Sequence, residues 1–347
     1  MESIGDLGEF GLIRRATGRA LTPDVLLGPG DDAAVIAAPD GRVVATTDVL
    51  IEGRHFRLDW SSPYDIGRKA AAQNLADVVA MGARPTALLV GFGAPPTTSA
   101  EWALRLNDGI ADEAALVGAS VAGGDTVSSP TVTIAVTALG DLGGAPPITR
   151  SGARPGDLVA VRGRLGWAAS GLHLLEHALL GRSGAGPDGL DGPDGFGGAA
   201  AFLAAHRRPE PPYAAGAEAR ALGATAMLDV SDGLLQDLGH IADLSGVAID
   251  ISAASVPLPP RLPGEKGTAT RPGEGKTSSE SAAGVPAAPD PLQLALTGGE
   301  DHAFAATFPA GTALPATWTV VGRVAEGSGV TVDGAVPSVR GWDHFRS

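Results

Sequence analysis

The chain carries acidic side chains near its N-terminus that are spaced to hold a divalent cation. Asp31 and Asp32 follow a Gly-Pro-Gly turn, and Asp48 closes the second of the two apolar runs that follow. Between the runs, Pro39-Asp40-Gly41 has the composition of a turn, so the sequence predicts a β-hairpin that gathers the three carboxylates on one rim. Two like charges about 4 Å apart repel by about 4 kcal/mol near a protein surface, so such a cluster must spread out, bind protons or hold a cation such as Mg²⁺. Because Asp and Gly also populate ordinary loops, this stretch alone favours neither interpretation.

Further carboxylates lie at the ends of predicted strands or on short loops, where catalytic groups usually sit. Asp77 shares one face of a predicted helix with Gln73 and Asn74, since spacings of three and four residues bring helical side chains together. Arg68 and Lys69 of the same helix are assigned to its solvent side. The remaining acids of this kind are Asp125, Asp229 and Asp232. Many carboxylates beside glycine-rich turns favour phosphoryl transfer assisted by several metal ions, while a Ca²⁺-binding domain without catalysis stays open as an alternative.

The elements that position these groups are predicted to form two domains. The first, 1–148, has the predicted order ββαβαββ. Its first long helix begins at Ser62-Pro63, which combines a capping residue with a proline at the first helical position, and it ends at Gly82.

The second predicted domain, 149–347, contains a strand that delivers Asp229 and a helix over 234–244. Two low-complexity insertions interrupt it near 181–198 and 259–291, and we expect the second to be disordered.

Composition limits the partners and the chemistry. At 347 residues the chain is long enough for two cores. A net charge of −14 argues against nucleic acid or an anionic membrane as a partner. The absence of cysteine excludes disulfides, thiolate nucleophiles and cysteine-ligated metals. With no basic leader region and no apolar run approaching a membrane span, we expect a cytoplasmic protein.

Two short motifs point to other nucleotide-binding folds, and neither fits well. Gly275-Lys276-Thr277 ends like a phosphate-binding loop, but Thr270 occupies the place of its first glycine and the surroundings are low-complexity sequence. Gly28-x-Gly30-x-x-Ala33 matches a dinucleotide-binding pattern, with Asp48 about 20 residues further on. That pattern requires a long helix to begin at the motif, whereas Pro39-Asp40-Gly41 interrupts the chain too early. A dinucleotide-binding enzyme is therefore the weaker alternative.

Eight segments in order give the chain a resemblance to a known family that runs nearly end to end. They are Gly30-Asp31-Asp32-Ala33-Ala34, Thr46-Thr47-Asp48, Gly53-Arg54-His55-Phe56, Lys69-Ala70 to Gly82-Ala83, Gly123-Gly124-Asp125-Thr126, Thr149-Arg150-Ser151-Gly152-Ala153, Asp229-Val230-Ser231-Asp232-Gly233 and Gly298-Gly299-Glu300-Asp301. The sequence resembles the thiamine-monophosphate kinase family of the aminoimidazole ribonucleotide synthetase-like superfamily. This resemblance implies an α+β fold of two domains, with an N-terminal mixed sheet flanked by helices and a C-terminal α/β sandwich domain.

The same resemblance implies an activity and a set of site residues. The γ-phosphoryl group of ATP passes directly to thiamine monophosphate, several Mg²⁺ ions assist, and no phosphoenzyme forms. The implied Mg²⁺ ligands are Asp32, Thr46, Thr47, Asp48, Asp77, Asp125, Asp229 and Asp232. The implied ATP contacts are Gly124, Asp125, Arg150 and Ser231, and the implied substrate contacts are His55, Glu300 and Trp342. The family is similar in forming homodimers through its N-terminal domains, with the active site between the two domains.

The chain departs from the family pattern in its insertions and at two further places. His302-Ala303 stands where the family usually has Tyr-Glu, and Trp167-Ala168 stands where small or hydroxylated residues are common. Sister enzymes of the superfamily, which make aminoimidazole ribonucleotide or selenophosphate or mature hydrogenases, are the alternative. The last two branches use cysteine or selenocysteine, which this chain lacks.

Overall fold

The computed structural model describes residues 2–29, 33–181, 199–262, 289–339 and 341. Within these residues the helices are α1 Ile4–Leu7, α2 Glu9–Ala16, α3 Pro63–Ala80, α4 Ala100–Leu116, α5 Trp167–Gly181, α6 Ala199–Arg207, α7 Ala215–Ala221, α8 Leu234–Ser245 and α9 Pro291–Thr297. The strands are β1 Val25–Leu27, β2 Val35–Ile36, β3 Val44–Ile51, β4 Arg84–Ala94, β5 Ser120–Ser128, β6 Thr133–Asp141, β7 Leu158–Arg162, β8 Ala226–Val230, β9 Ala248–Ile251, β10 Ala303–Phe308, β11 Thr319–Ala325 and β12 Gly329–Val332.

The first half of the chain forms a four-stranded sheet with the order β3-β6-β4-β5. β4 and β5 run parallel, and the other neighbours are antiparallel. Helices α3 and α4 cover one face of this sheet, with a core around Leu75, Leu88 and Ile134. The two-stranded ribbon of β1 and β2 packs on part of the opposite face, through Val25 and Ile36.

Helices α3 and α4 cross at a close approach that two glycines permit. A Cβ at Gly67 would lie 2.1 Å from the carbonyl oxygen of Leu106, and a Cβ at Gly109 would lie 2.1 Å from that of Tyr64. Any larger residue at either position would push the helices apart. The crossing therefore fixes where α3, which carries several predicted site residues, sits above the sheet.

The second half forms a six-stranded sheet with the order β12-β9-β11-β7-β10-β8. All neighbours are antiparallel except the parallel pair β9 and β12. Helices α8 and α9 pack on one face around Leu228, Leu238 and Ile249. On the other face, Phe304 and Phe308 pack against α3 and α7.

Helix α3 is consequently enclosed by both halves of the protein. Ala71 and Leu75 belong to the core of the first sheet, while Ala76 and Val79 belong to the core shared with the second sheet. A helix with small apolar side chains on two sides fits between two layers because it keeps both inter-layer distances short. Polar residues of α3 that reach the gap between the sheets face groups from both halves.

The predicted α+β class is confirmed, and so is the element order ββαβαββ between 35 and 141. The predicted hairpin around Pro39-Asp40-Gly41 is wrong: β2 pairs with β1, and β3 pairs with β6. The insertion near 181–198 falls outside the described residues, apart from Gly181 at the end of α5. The insertion near 259–291 is described only at 259–262 and 289–291, so its predicted disorder stays a prediction.

In the part of the chain that the structure describes, no helix combines the length and the apolar character needed to cross a bilayer.

Candidate active site

The first part of the site is built where β3 faces α3. Thr46 and Asp48 point to the helix side of the sheet, because side chains alternate along a strand, and Thr47 points to the other side. The Thr46 hydroxyl donates a hydrogen bond to Oδ2 of Asp77 over 2.8 Å. The backbone N–H of Asp48 donates to Oδ1 of Asn74 over 3.0 Å. The predicted face of α3 with an amide and a carboxylate therefore meets β3 in the folded chain.

The second part comes from the C-terminal sheet. Asp229, at the end of β8, and His302, just before β10, lie within hydrogen-bonding distance, with Nδ1 of His302 3.0 Å from Oδ2 of Asp229. Both residues are almost completely buried. His302 has a left-handed backbone with φ of 50°, an uncommon conformation for a non-glycine residue. Burial lowers the pKa of His302, but the hydrogen bond and charge of Asp229 outweigh it and raise the pKa above its ordinary value.

Electrostatics show that the acids from the two halves share one space. Burial, followed by the charges of Asp229 and Asp48, raises the pKa of Asp77 to about 7. Burial also raises the pKa of Asp48, partly opposed by a hydrogen bond from Gln73. Among the described residues, Asp48 and Asp77 have no lysine or arginine within ion-pair distance. Burial and the neighbouring acids therefore disfavour the charged forms of Asp48 and Asp77, and only histidine side chains oppose this by their charge.

The loop after β8 is held by an acid that sequence reasoning missed. Oδ2 of Asp237, in the first turn of α8, accepts hydrogen bonds from the backbone N–H groups of Ser231, Asp232 and Gly233 at 3.1, 3.0 and 3.1 Å. Burial raises the pKa of Asp237 to about 7. Three consecutive amides aimed at one oxygen fix the backbone that carries Ser231 and Asp232.

The Gly298-Gly299-Glu300-Asp301 segment packs directly on this loop. A Cβ at Gly299 would lie 2.3 Å from the carbonyl oxygen of Ser231, and the backbone N–H of Glu300 donates to that same oxygen over 2.8 Å. The Asp301 carboxylate accepts hydrogen bonds from the backbone N–H groups of Gly166 and Ala168, where α5 begins. The Gly298-Gly299-Glu300-Asp301 segment is thus a structural partner of the loop that carries Ser231.

Glu300 and His55 both contact Lys69, a residue that the sequence pattern placed on the solvent side of α3. Lys69 is only 3% exposed, so its predicted position on the solvent side of α3 is wrong, because the C-terminal half covers that side. Its ammonium lies 2.8 Å from Oε1 of Glu300 and 3.1 Å from the carbonyl oxygen of His55. Arg68, also assigned to solvent, forms an ion pair with the buried carboxylate of Glu113.

The implied ATP contacts on β5 stand apart from the acid cluster. Gly124 lies in the same cross-sheet row as Asp48, with β6 and β4 between them, about 14 Å away at normal strand spacing. A Cβ at Gly124 would lie 1.9 Å from the carbonyl oxygen of Val90, so only glycine fits. Asp125 is in the next row, on the opposite face of the sheet. Arg150 is exposed, and its carbonyl accepts a hydrogen bond from Ser245. Within one chain, Asp125 is not brought to the acids of the cleft.

Two of the implied site residues, Asp32 and Trp342, lie outside the described residues.

The donor set of the cleft fits Mg²⁺. Asp48, Asp77 and Asp229 supply hard carboxylate oxygens, and Thr46 supplies a hydroxyl oxygen, which are the ligand types of this ion. Burial raises the pKa values of Asp48 and Asp77, and for Asp77 the charges of Asp229 and Asp48 add to it, so a divalent cation at this place would favour the charged carboxylates. Among the described residues, no three acidic or histidine side chains already surround one point where an ion would be coordinated. Mg²⁺ commonly takes one or two carboxylates and completes its shell with water and substrate phosphates, so this arrangement suits a site finished by the nucleotide.

Comparison with known proteins places the chain in a class and then in a family. Residues 30–142, which include β3, α3 and the rest of the first sheet, match the family model described as AIR synthase related protein, N-terminal domain. The thiamine-monophosphate kinase of Mycobacterium tuberculosis (strain CDC 1551 / Oshkosh) is 46% identical over 346 residues, which cover 99% of this chain and 93% of the relative. The chain belongs to the thiamine-monophosphate kinase family.

Solved structures agree with this assignment. The crystal structure of thiamine-monophosphate kinase from Stenotrophomonas maltophilia K279a is 32% identical, with a TM-score of 0.73, covering 94% of this chain and 95% of that chain. A solved complex named AaThiL with AMPPCP and TMP is 30% identical, with a TM-score of 0.68, covering 98% of each chain. The family resemblance seen in the sequence is confirmed.

Proposed function

We propose that this protein transfers the γ-phosphoryl group of ATP directly to the phosphate of thiamine monophosphate, giving thiamine diphosphate. The observation that carries the proposal is the convergence of Asp48, Asp77 and Asp229, from both halves of the chain, in a cleft that raises the pKa values of Asp48 and Asp77. Both reactants are anions, so a site of this kind serves them only through cations. The names of the curated relatives support the choice of reaction.

The proposed roles divide between the two halves of the molecule. Mg²⁺ bound by the acids implied above would neutralise phosphate oxygens and favour in-line transfer. Asp237 holds the backbone of the Ser231 loop in place for the nucleotide, through its three amide hydrogen bonds. Glu300, Trp342 and His55 are proposed to bind the thiamine part. Gly124, Asp125 and Arg150 remain proposed ATP contacts.

The proposal includes a homodimer formed through the open face of the first sheet. Val49, Ile51 and Val127 are 46%, 41% and 54% exposed on that face, beside the small residues Gly91 and Ala135. A flat apolar sheet surface of this kind fits a second copy of itself. Asp125 and Thr47 lie on the same face, so a partner subunit would bring additional implied site residues to the interface. Light scattering of the purified protein tests this, and a monomeric mass would contradict it.

Two further parts of the proposal concern organisation and location. We place the domain boundary at 148/149, between the last strand of the first sheet and the first strand of the second. We propose a cytoplasmic location, where ATP is available as co-substrate.

The experiment that tests the proposed reaction is incubation of the protein with γ-labelled ATP, Mg²⁺ and thiamine monophosphate. The expected result is labelled thiamine diphosphate, with no label on acid-quenched protein, and no product when EDTA is present. A protein that bound divalent metal but turned over no ATP would instead be a metal-binding module. Consumption of ATP that thiamine monophosphate does not stimulate would point to another reaction of the superfamily.

A further inference from the structure

Lys69 is a buried cation at the junction of the two halves of the protein. It lies on α3, which both sheets enclose, and its side chain is 3% exposed. A buried ammonium is costly unless charged and polar groups surround it. The groups that contact Lys69 therefore indicate its structural role.

Those partners belong to segments that are far apart in the sequence. One is Oε1 of Glu300, at 2.8 Å, in the loop before β10. The other is the carbonyl oxygen of His55, at 3.1 Å, in the loop after β3. The His55 ring is held as well, because its Nδ1 accepts a hydrogen bond from the backbone N–H of Ile51 over 3.0 Å. One ammonium thus connects two of the residues proposed to bind the thiamine part.

Glu300 is fixed at one oxygen and remains accessible. Its backbone is constrained by a φ of 66° and by the hydrogen bond to Ser231, while its side chain is 35% exposed. Burial by itself would raise the pKa of Glu300, but the charge and hydrogen bond of Lys69 outweigh it, and the pKa falls to about 2. Glu300 is consequently a carboxylate at neutral pH.

The second oxygen of Glu300 faces a neutral group. Oε2 lies 3.4 Å from Nδ1 of His206, which has no hydrogen-bond partner among the described residues. Burial, together with the charge of Lys69, lowers the pKa of His206 to about 4, so its ring is uncharged at neutral pH. Oε1 is engaged by Lys69, and among the described residues Oε2 has no lysine or arginine within ion-pair distance, so the carboxylate keeps one oxygen oriented for a ligand.

We propose that Lys69 is a positioning residue for thiamine recognition: its ammonium fixes the direction of the Glu300 carboxylate and the backbone of His55, and so acts on the thiamine substrate through both. This inference rests on the proposed function. It separates the two substrates, because neither partner of Lys69 belongs to the residues proposed to contact ATP. Pairing with Lys69 reduces the net charge of Glu300. The proposal therefore also implies that the site recognises the thiamine part by the direction of a hydrogen bond to this carboxylate.

The first test compares Lys69→Met with Arg208→Met. Arg208 also links the C-terminal half to α3, through Asp65 at 3.6 Å, but it touches none of the proposed site residues in the described structure. For Lys69→Met we expect the KM for thiamine monophosphate to rise roughly 10-fold or more, since a hydrogen bond to a charged group is lost, with the KM for ATP within about twofold of the parent. Arg208→Met should leave both KM values within about twofold. Equal rises in both KM values for Lys69→Met would overturn the proposal.

A double-mutant cycle shows whether Lys69 acts through Glu300. We expect Lys69→Met combined with Glu300→Gln to raise the KM for thiamine monophosphate by clearly less than the product of the two single effects, because Glu300→Gln removes one of the two groups that Lys69 positions. The double variant also leaves no unpaired buried charge, so it tests the proposal even if Lys69→Met alone does not fold. Lys69→Arg, which keeps the charge, should recover part of the affinity. Multiplicative effects in the cycle would overturn the proposal.

Calorimetric binding of thiamine monophosphate distinguishes this inference from the proposed reaction. If the parent binds thiamine monophosphate and makes thiamine diphosphate while Lys69→Met binds it equally well, only the role of Lys69 is refuted. If the parent makes no thiamine diphosphate, the proposed function is refuted as well.

Discussion

In this protein, the pKa values of acids at the outer surface and of acids in the cleft are shifted in opposite directions. Asp24, Asp59 and Asp112 each accept a hydrogen bond from an arginine, and that bond is the main reason why their pKa values are lowered. Asp48 and Asp77 are partly buried near Asp229, and their pKa values are raised. The arginines that compensate the surface acids have no counterpart at Asp48 and Asp77 in the described structure.

This difference supports the proposal that the cleft is the functional region. Surface pairing makes a strongly acidic chain compatible with folding, whereas partly buried carboxylates without a lysine or arginine partner are retained at a cost in stability. Groups whose pKa values are shifted by burial and by like charges cluster at functional sites. Glu300 forms a third class, since it lies in the cleft but is paired with Lys69.

The largest effect is expected from Asp48→Asn. The variant should lose at least roughly 100-fold in turnover, because several kcal/mol of charge stabilisation at the phosphates depend on the cation. Its melting temperature should equal or exceed that of the parent, since one of several crowded charges is removed. Steady-state kinetics and thermal melts check both statements. An unfolded variant would instead make Asp48 a structural partner.

Glu300→Gln should have an intermediate effect and should not stabilise the protein. We expect the KM for thiamine monophosphate to rise roughly 10-fold, because the charged acceptor is lost. The substitution leaves the buried ammonium of Lys69 without its counter-charge, so the melting temperature should fall or stay constant. A clear rise in melting temperature would place Glu300 with the crowded acids rather than the paired ones.

The third prediction concerns the pH dependence of the metal-free protein. The pKa of Asp77 is about 7 in the folded state against an ordinary value of 3.8, so the folded state binds the proton more tightly than the unfolded chain. Stability should therefore decline as the pH rises from about 4 to about 7, and Asn at this position should remove that decline. In EDTA, Asp77→Asn should melt about 2 °C or more above the parent at pH 8, with a smaller difference at pH 5. A difference that does not change with pH would contradict the raised pKa.

The smallest effect is expected from Asp24→Asn on the surface. Its partner Arg84 also lies 3.6 Å from Asp141, so part of the pairing remains. Activity should stay within about twofold of the parent, and the free energy of unfolding should fall by no more than about 1 kcal/mol. Since the pKa of Asp24 is lowered in the folded state, that small loss should disappear as the pH falls through the range where the carboxyl is protonated. Denaturant titrations at several pH values measure it.

Local sequence patterns located much of the candidate site. The spacing of Asn74 and Asp77 on a helix and the position of Asp229 at a strand end are properties of neighbouring residues, and the structure confirms both placements. The hairpin prediction failed because β3 pairs with β6, some 90 residues later, and a turn-like stretch cannot reveal such a partner. β2 has only two residues, whereas β3 pairs with β6 along its eight residues, so non-local pairing decided the sheet.

Residues whose roles depend on the contact between the two halves could not be predicted. Lys69 looked solvent-exposed because a basic residue on a helix usually is, whereas in the folded chain it is buried and contacts Glu300 of the C-terminal half. Asp237 had a weak signal, as an acid in the first turn of a helix that follows a Ser-Asp-Gly loop. No sequence pattern pointed to His206, because its proximity to Glu300 depends on how α6 packs.

The most direct test of the account is a measurement of divalent-cation binding by the cleft acids. Electron paramagnetic resonance can count Mn²⁺ bound to the parent, Asp77→Asn and Asp24→Asn in the presence of a non-hydrolysable ATP analogue. The account predicts that the parent and Asp24→Asn bind the same number of ions with the same affinity, and that Asp77→Asn binds fewer or binds them at least roughly 10-fold more weakly. Undiminished Mn²⁺ binding by Asp77→Asn would contradict the claim that the crowded acids of the cleft hold the metal.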